Sequence, residues 1–156
     1  SKGYFTTLPN IKISTDERGC LVVNTNYLAA PVVTNDLVEL INATDFRWLG
    51  RWDNVVNTGG IKVHPEQVEK VIGQLFAEQN IRNDFFVHSM PDEKLGSKLV
   101  LFVEGTLPIG EHALLSQLQT RLPKYEIPRQ VVRPKKFIKT ETGKVKRAET
   151  VDSLPI

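Results

Sequence analysis

The sequence predicts an α+β protein in two parts: a short β-rich segment over residues 1–50 and a compact domain of ββαββαβ order over residues 51–156. Three observations predict it. The first part alternates short apolar runs with Asn- and Asp-rich turns and has no helical stripe. The second part contains two apolar stripes at helical spacing. Strand-like runs flank each stripe, and this order gives a mixed domain.

The elements follow in chain order. Cys20 to Val23 and Tyr27 to Val33 read as short strands separated by Asn24-Thr25-Asn26. Leu37 to Ile41 and Phe46 to Leu49 flank Asn42-Ala43-Thr44-Asp45, a hairpin signal. The character changes at Gly50 to Asp53, where the boundary is placed. Val55-Val56-Asn57 and Ile61-Lys62-Val63 bracket Thr58-Gly59-Gly60, a second hairpin. Pro65 opens a helix whose Val68, Val71, Ile72, Leu75 and Phe76 share one face. Phe85 to Met90 and Lys98 to Val103 read as strands around the turn that starts at Pro91. A second helix is expected from Glu111 to Leu122, with Leu114, Leu115, Leu118 and Leu122 inward and Pro123 stopping it. Gln130 to Arg133 is the last expected strand, and a basic segment follows.

The chain of 156 residues is 40% hydrophobic and 24% charged, with a formal charge of +2. That composition excludes disordered and collagen-like classes. No apolar run approaches the roughly 18–20 residues of a membrane span. The start, Ser1-Lys2-Gly3-Tyr4, has no signal core and reads as internal. A single cysteine, Cys20, excludes an internal disulfide framework and fits a reducing cytoplasm. Its apolar run makes it a buried small hydrophobe. His64, His88 and His112 have no zinc-like spacing, and no metal site is expected. The small net charge hides a local excess: eight basic residues and one acid lie between Arg129 and Arg147. A basic stretch of this kind binds an anion locally or nucleic acid non-specifically. It lacks the interleaved aromatics that stack on bases.

Two strings carry chemistry. Lys139-Thr140-Glu141-Thr142-Gly143-Lys144-Val145-Lys146-Arg147 is a Gly-kinked loop able to bring an ammonium to a phosphate or carboxylate. Taken alone it is equally a solvated basic turn. Gly50-Arg51-Trp52-Asp53, followed by the Gly59-Gly60 hairpin and Val63-His64-Pro65-Glu66-Gln67-Val68-Glu69, combines ion-pairing residues with a backbone a ligand can approach closely. It too could be purely structural. With Leu122-Pro123-Lys124-Tyr125-Glu126-Ile127-Pro128 between them, the strings occur in an order and spacing that resembles the C-terminal portion of the AMP-forming acyl-CoA synthetases. That superfamily also includes luciferases and peptide-synthetase adenylation domains.

The resemblance implies roles residue by residue. Lys144 matches the lysine that reaches the acyl carboxylate and α-phosphate as the acyl-adenylate forms. Asp36 matches the aspartate that accepts the ribose hydroxyls, and Arg51 the arginine that helps hold the nucleotide. Asp53 matches the pivot on which the small domain rotates between half-reactions. Gly60 matches the glycine that lines the pantetheine channel, and Gly59 and Lys62, the latter at a position often basic in the family, are assigned to the same channel. The implied substrates are ATP, CoA and a small carboxylic acid, either an aromatic dicarboxylate or a fatty acid. Mg2+ is expected in the full-length enzyme, with ligands outside this chain.

The sequence departs from the family at Asn35, where glycine is usual, and at Ile138, where proline is usual. Asn tolerates the left-handed region, so the turn can survive. The phosphate loop, the adenine and metal segment and the acyl pocket are absent, so the chain reads as a part that needs an N-terminal large domain and is inactive alone. Within the superfamily, Asn57 to Val63 and the compact small domain look most like the o-succinylbenzoate–CoA ligases of menaquinone synthesis. Medium- and long-chain fatty acid ligases are the alternative, and a non-catalytic nucleic-acid module is the alternative from another class.

Overall fold

The computed structural model describes residues 3–155. The chain divides into two compact units, residues 1–55 and 56–156. The division falls between Val55 and Val56, a few residues beyond the expected change at Gly50 to Asp53.

In the first unit β1 (Phe5–Thr6), β2 (Ile11–Thr15), β3 (Cys20–Thr25), β4 (Val32–Leu40) and β5 (Asp45–Arg51) form one antiparallel sheet in the order β1-β5-β4-β3-β2. The β4–β5 hairpin forms where expected, pairing Leu40 with Phe46. Asn42 shapes its turn by accepting the backbone N–H groups of Thr44 and Asp45. Cys20, Leu37 and Val38 are buried, Cys20 completely. The expected strand at Tyr27 to Val33 is corrected: β3 continues to Thr25, Tyr27 is 79% exposed, and only Val32 and Val33 join β4. Apolarity alone misplaced it, because Pro31 has no N–H for a ladder. β1 and β2 were not expected, being short and largely polar.

The second unit runs β6 (Val56–Thr58), β7 (Ile61–Val63), α1 (Pro65–Glu78), β8 (Phe85–Asp92), β9 (Gly96–Val103), α2 (Glu111–Gln119), β10 (Gln130–Val132) and α3 (Arg147–Asp152). β8, β9 and β10 make a sheet with β9 central, antiparallel to β8 and parallel to β10. β9 buries both faces, which is why its sequence is continuously apolar. Val87, Leu99, Leu101 and Val103 join Val68, Ile72 and Leu75 of α1 and Leu114 and Leu118 of α2 in the larger core. Phe86, Val100 and Phe102 point the other way and pack on Phe137. Each such side chain contributes about 1.5–3 kcal/mol on burial.

Two details differ from expectation. α2 ends at Gln119, and the buried Leu122 follows in a turn instead of the last helical turn. α3 was not expected, because its short apolar pattern (Val151, then Leu154) lies beyond the basic run; both residues pack on the Phe86–Phe137 cluster. Among the described residues no helix is long and apolar enough to cross a membrane.

Candidate functional site

The basic loop is a closed hairpin. Lys139 and Val145 form an antiparallel bridge. Inside it, the Thr140 N–H donates to the Lys144 carbonyl at 2.8 Å, and the Gly143 N–H to the Thr140 carbonyl at 2.9 Å. The Thr140 hydroxyl accepts the Lys144 N–H at 3.0 Å. Gly143 has φ +84°, the left-handed turn that a glycine makes without steric cost. Val145 packs on the Phe86–Phe137 cluster, so the loop is seated on the back of the sheet.

The cations of this hairpin divide sharply. Lys139 reaches Asp84 at 2.6 Å and Glu104 at 3.1 Å, and its hydrogen bonds to both hold its pKa above the ordinary lysine value. Lys146 pairs with Glu149 at 3.0 Å. Arg147 pairs with Glu69 at 2.8 Å. Lys144 is exposed beside the turn, and its ammonium enters no ion pair among the described residues. A free ammonium on a braced loop can serve an anion that arrives from outside.

Gly59 and Gly60 form the two-residue turn of the β6–β7 hairpin, with φ +57° and +83°. They are not equivalent. A Cβ at Gly59 would lie 3.3 Å from Leu95 and 3.7 Å from the Tyr125 ring, and the Gly59 N–H donates to the Leu95 carbonyl at 3.0 Å. A Cβ at Gly60 would meet nothing within 4 Å. Gly59 is therefore packed within the unit, whereas Gly60 borders open space. Lys62 is exposed on β7.

The first unit brings Asp36, Arg51 and Asp53 together. Asp36 and Arg51 are register partners on β4 and β5, with a side-chain separation of 3.9 Å. Arg51 also donates to Asp53 at 3.2 Å, and the Trp48 indole donates to Asp36 at 3.3 Å. Asp53 sits inside a 3-10 turn, Trp52–Asn54, that follows β5 directly. Asn35 was expected only as a tolerated turn residue. Its amide instead accepts from Arg18 at 2.9 Å and donates to Asp53 at 3.3 Å. Arg18 was not foreseen, since nothing in its local sequence marks it, and neither was the bridging role of Asn35. Trp52 is 37% exposed, with the Arg18 guanidinium over its ring. Among the described residues no group of three or more His, Cys, Asp or Glu stands together as a metal site.

No protein-family model matches the chain. A 2-succinylbenzoate–CoA ligase of Listeria monocytogenes is 33% identical over 97 residues, 62% of this chain and 20% of that protein. A protein named as a long chain fatty acid–CoA ligase in Staphylococcus epidermidis is 27% identical over 82% of this chain and 27% of its own length. A solved acyl-CoA synthetase (AMP-forming)/AMP-acid ligase II-like protein of Dyadobacter fermentans is 38% identical, with TM-score 0.63 over 97% of this chain and 44% of that one. The o-succinylbenzoate CoA synthetase of Bacillus subtilis, solved with its acyl-adenylate intermediate, shares the fold at TM-score 0.75 over 98% of this chain and 34% of that one, at 20% identity. This chain thus spans between a fifth and a half of the length of these proteins. These relatives and neighbours are acyl-CoA synthetases or CoA ligases by name, and the chain is homologous to part of such enzymes, as its three motifs implied.

Proposed function

We propose that the chain is the C-terminal part of an ATP-dependent, AMP-forming acid–CoA ligase, with residues 1–50 the barrel-like end of a large domain and residues 51–156 a mobile small domain. The observation that carries this reading is the hairpin at Lys139 to Arg147, whose other cations are paired while the Lys144 ammonium, in no ion pair among the described residues, is left for an external anion. In the first half-reaction a carboxylate oxygen attacks the α-phosphorus of ATP, the bond to pyrophosphate breaks, and an acyl-adenylate results. Anions are driven together, so a positioned ammonium offsets their repulsion and the charge growing on the phosphorus oxygens. In the second, the CoA thiol attacks the acyl carbon, losing its proton, and AMP leaves. Lys144 serves the first step, Asp36 and Arg51 the nucleotide, Asp53 the pivot, and Gly59, Gly60 and Lys62 the thiol's approach. Mg2+ would bind with ATP, on groups outside this chain.

Of acid substrates, o-succinylbenzoate is favoured by the Listeria relative and by the look of Asn57 to Val63, which would place the enzyme in menaquinone synthesis in the cytoplasm. A fatty acid is the alternative, favoured by the Staphylococcus relative. The nucleic-acid reading is weakened by the pairing of Lys139, Lys146 and Arg147 to carboxylates of the same chain.

The test is the full-length protein with Lys144→Ala. Adenylate formation should fall ~10²–10³-fold, the usual effect of removing one transition-state donor. Thioester formation from supplied acyl-adenylate should persist, and Lys146→Ala should change little. Equal loss in both half-reactions would refute the assignment.

A further inference from the structure

Resting on that reading, we propose that Glu69 is a positioning residue for Lys144: it clamps Arg147 and so fixes the C-terminal foot of the lysine hairpin to the framework of α1 and β8. The two motif segments involved are 78 residues apart in sequence. They meet through a fork-to-fork pair, with one Arg147 nitrogen 2.8 Å from Oε1 of Glu69 and the other donating to Oε2 at 2.9 Å. The same Oε1 accepts the Val87 N–H at 2.8 Å. β8 is an edge strand, so the carboxylate also occupies a ladder donor that the sheet leaves open. The guanidinium lies over the Phe86 ring, 5.7 Å from its centre.

Each contact removes a degree of freedom. A bidentate pair fixes the plane of the guanidinium, and the ring beneath it fixes its height. Glu69 belongs to α1, whose neighbouring Val68 and Ile72 are fully buried, so the clamp has a rigid base. Arg147 lies three residues beyond Lys144, and the Lys146 N–H donates to the Ile138 carbonyl at 2.8 Å, which closes the hairpin beside it. The other foot is held by Lys139, whose ammonium is a point charge and sets distance without direction.

Stability alone is a poor account of this pair. Burial pushes the Glu69 carboxyl up, and this outweighs Arg147 and the Val87 N–H, which act in the opposite sense. A pair taken out of water gains little net stability. It does fix geometry, and a reacting group displaced by about 1 Å can cost on the order of 10² in rate.

The experiment compares Glu69→Gln, Arg147→Met and Arg147→Lys with Lys144→Ala in the full-length protein. Glu69→Gln and Arg147→Met should lower kcat of adenylate formation by roughly 10- to 100-fold. KM for ATP and thioester formation from supplied acyl-adenylate should stay near wild type, and Arg147→Lys should recover part of the loss. Amide exchange in the peptide spanning residues 139–147 should quicken in the first two variants while α1 keeps its protection. Adenylation at the wild-type rate, or equal loss in both half-reactions, would overturn the clamp. If Lys144→Ala is inactive in adenylation while the Glu69 and Arg147 variants are active, only the clamp falls. If Lys144→Ala itself adenylates normally, the functional reading falls with it.

Discussion

The adjacent turn glycines separate a packing requirement from a functional one. Gly60→Leu puts a large side chain where a Cβ would meet nothing within 4 Å, at φ +83°. The expected cost is the left-handed backbone penalty alone, about 1–2 kcal/mol. Gly59→Leu carries a similar penalty at φ +57° and also drives its Cβ to 3.3 Å from Leu95. Overpacking of that kind adds about 1–3 kcal/mol. Against a typical stability of about 5–15 kcal/mol, Gly60→Leu stays folded and Gly59→Leu is the weaker protein. If the open space beside Gly60 is the thiol's route, Gly60→Leu should leave adenylate formation near wild type and suppress thioester formation. Urea denaturation of both variants, together with the two half-reaction rates in the full-length protein, measures this. A Gly60→Leu protein less stable than Gly59→Leu would refute the packing argument. Equal loss of both half-reactions in a folded Gly60→Leu protein would refute the channel.

Two further predictions concern the acid limb of stability. Burial and the nearby Arg147 hold His88 below its ordinary pKa of 6.5, with Asp152 opposing. The unfolded chain then takes up the proton more readily, so this contribution is present above about pH 6.5 and lost as pH falls through the folded-state pKa. His88→Leu should flatten that part of the curve of denaturation midpoint against pH. Asp92, lowered by the backbone N–H groups of Leu95 and Lys94, contributes above the ordinary carboxylate range and is lost at lower pH. Asp92→Ala should reduce the lower-pH slope, to which Asp16 and Glu78 also contribute, and leave the His88 region unchanged.

The parts of the fold legible in the sequence were those with a local signature. The α1 stripe, the continuous apolar run of β9 and the Gly59-Gly60 turn each have one local cause, and each lies where its pattern placed it. Tyr27 to Val33 misled because apolarity without alternation does not distinguish a strand from an exposed turn, and Tyr27 is 79% exposed. α3 was hidden because its residues are apolar only relative to a partner, the Phe137 cluster on the far side of the sheet. At the site, residue identities were legible and their connections were not. Lys144, Glu69 and Arg147 all stand in recognisable strings, yet nothing in one dimension says that Glu69 holds Arg147 while the Lys144 ammonium enters no ion pair among the described residues. Pairing across 78 residues is a property of the fold. The same holds for Asn35, an apparent irregularity in its string that the structure places between Arg18 and Asp53.

The proposed pivot allows a test that separates backbone from side chain. Asp53 lies second in the 3-10 turn Trp52–Asn54, and Arg51 before it is extended, with φ −105° and ψ 139°. A proline at 53 matches the φ of a 3-10 residue. It also clashes with the residue before it when that residue is helical, and here that residue is Trp52, itself inside the turn. Asp53→Pro should therefore disfavour this turn instead of locking it, and bias the pivot toward the other arrangement of a two-state hinge. The substitution also removes the carboxylate that accepts from Arg51 and Asn35. Asp53→Ala removes the same contacts and leaves φ and ψ free, so it isolates the backbone effect. In the full-length protein, Asp53→Pro should slow one half-reaction while the other continues, with circular dichroism unchanged. Asp53→Ala should keep the two rates in their wild-type ratio, since exposed ion pairs contribute little. If the two variants behave alike, the backbone at 53 does not act as a pivot, and the alternation between half-reactions must turn on another residue.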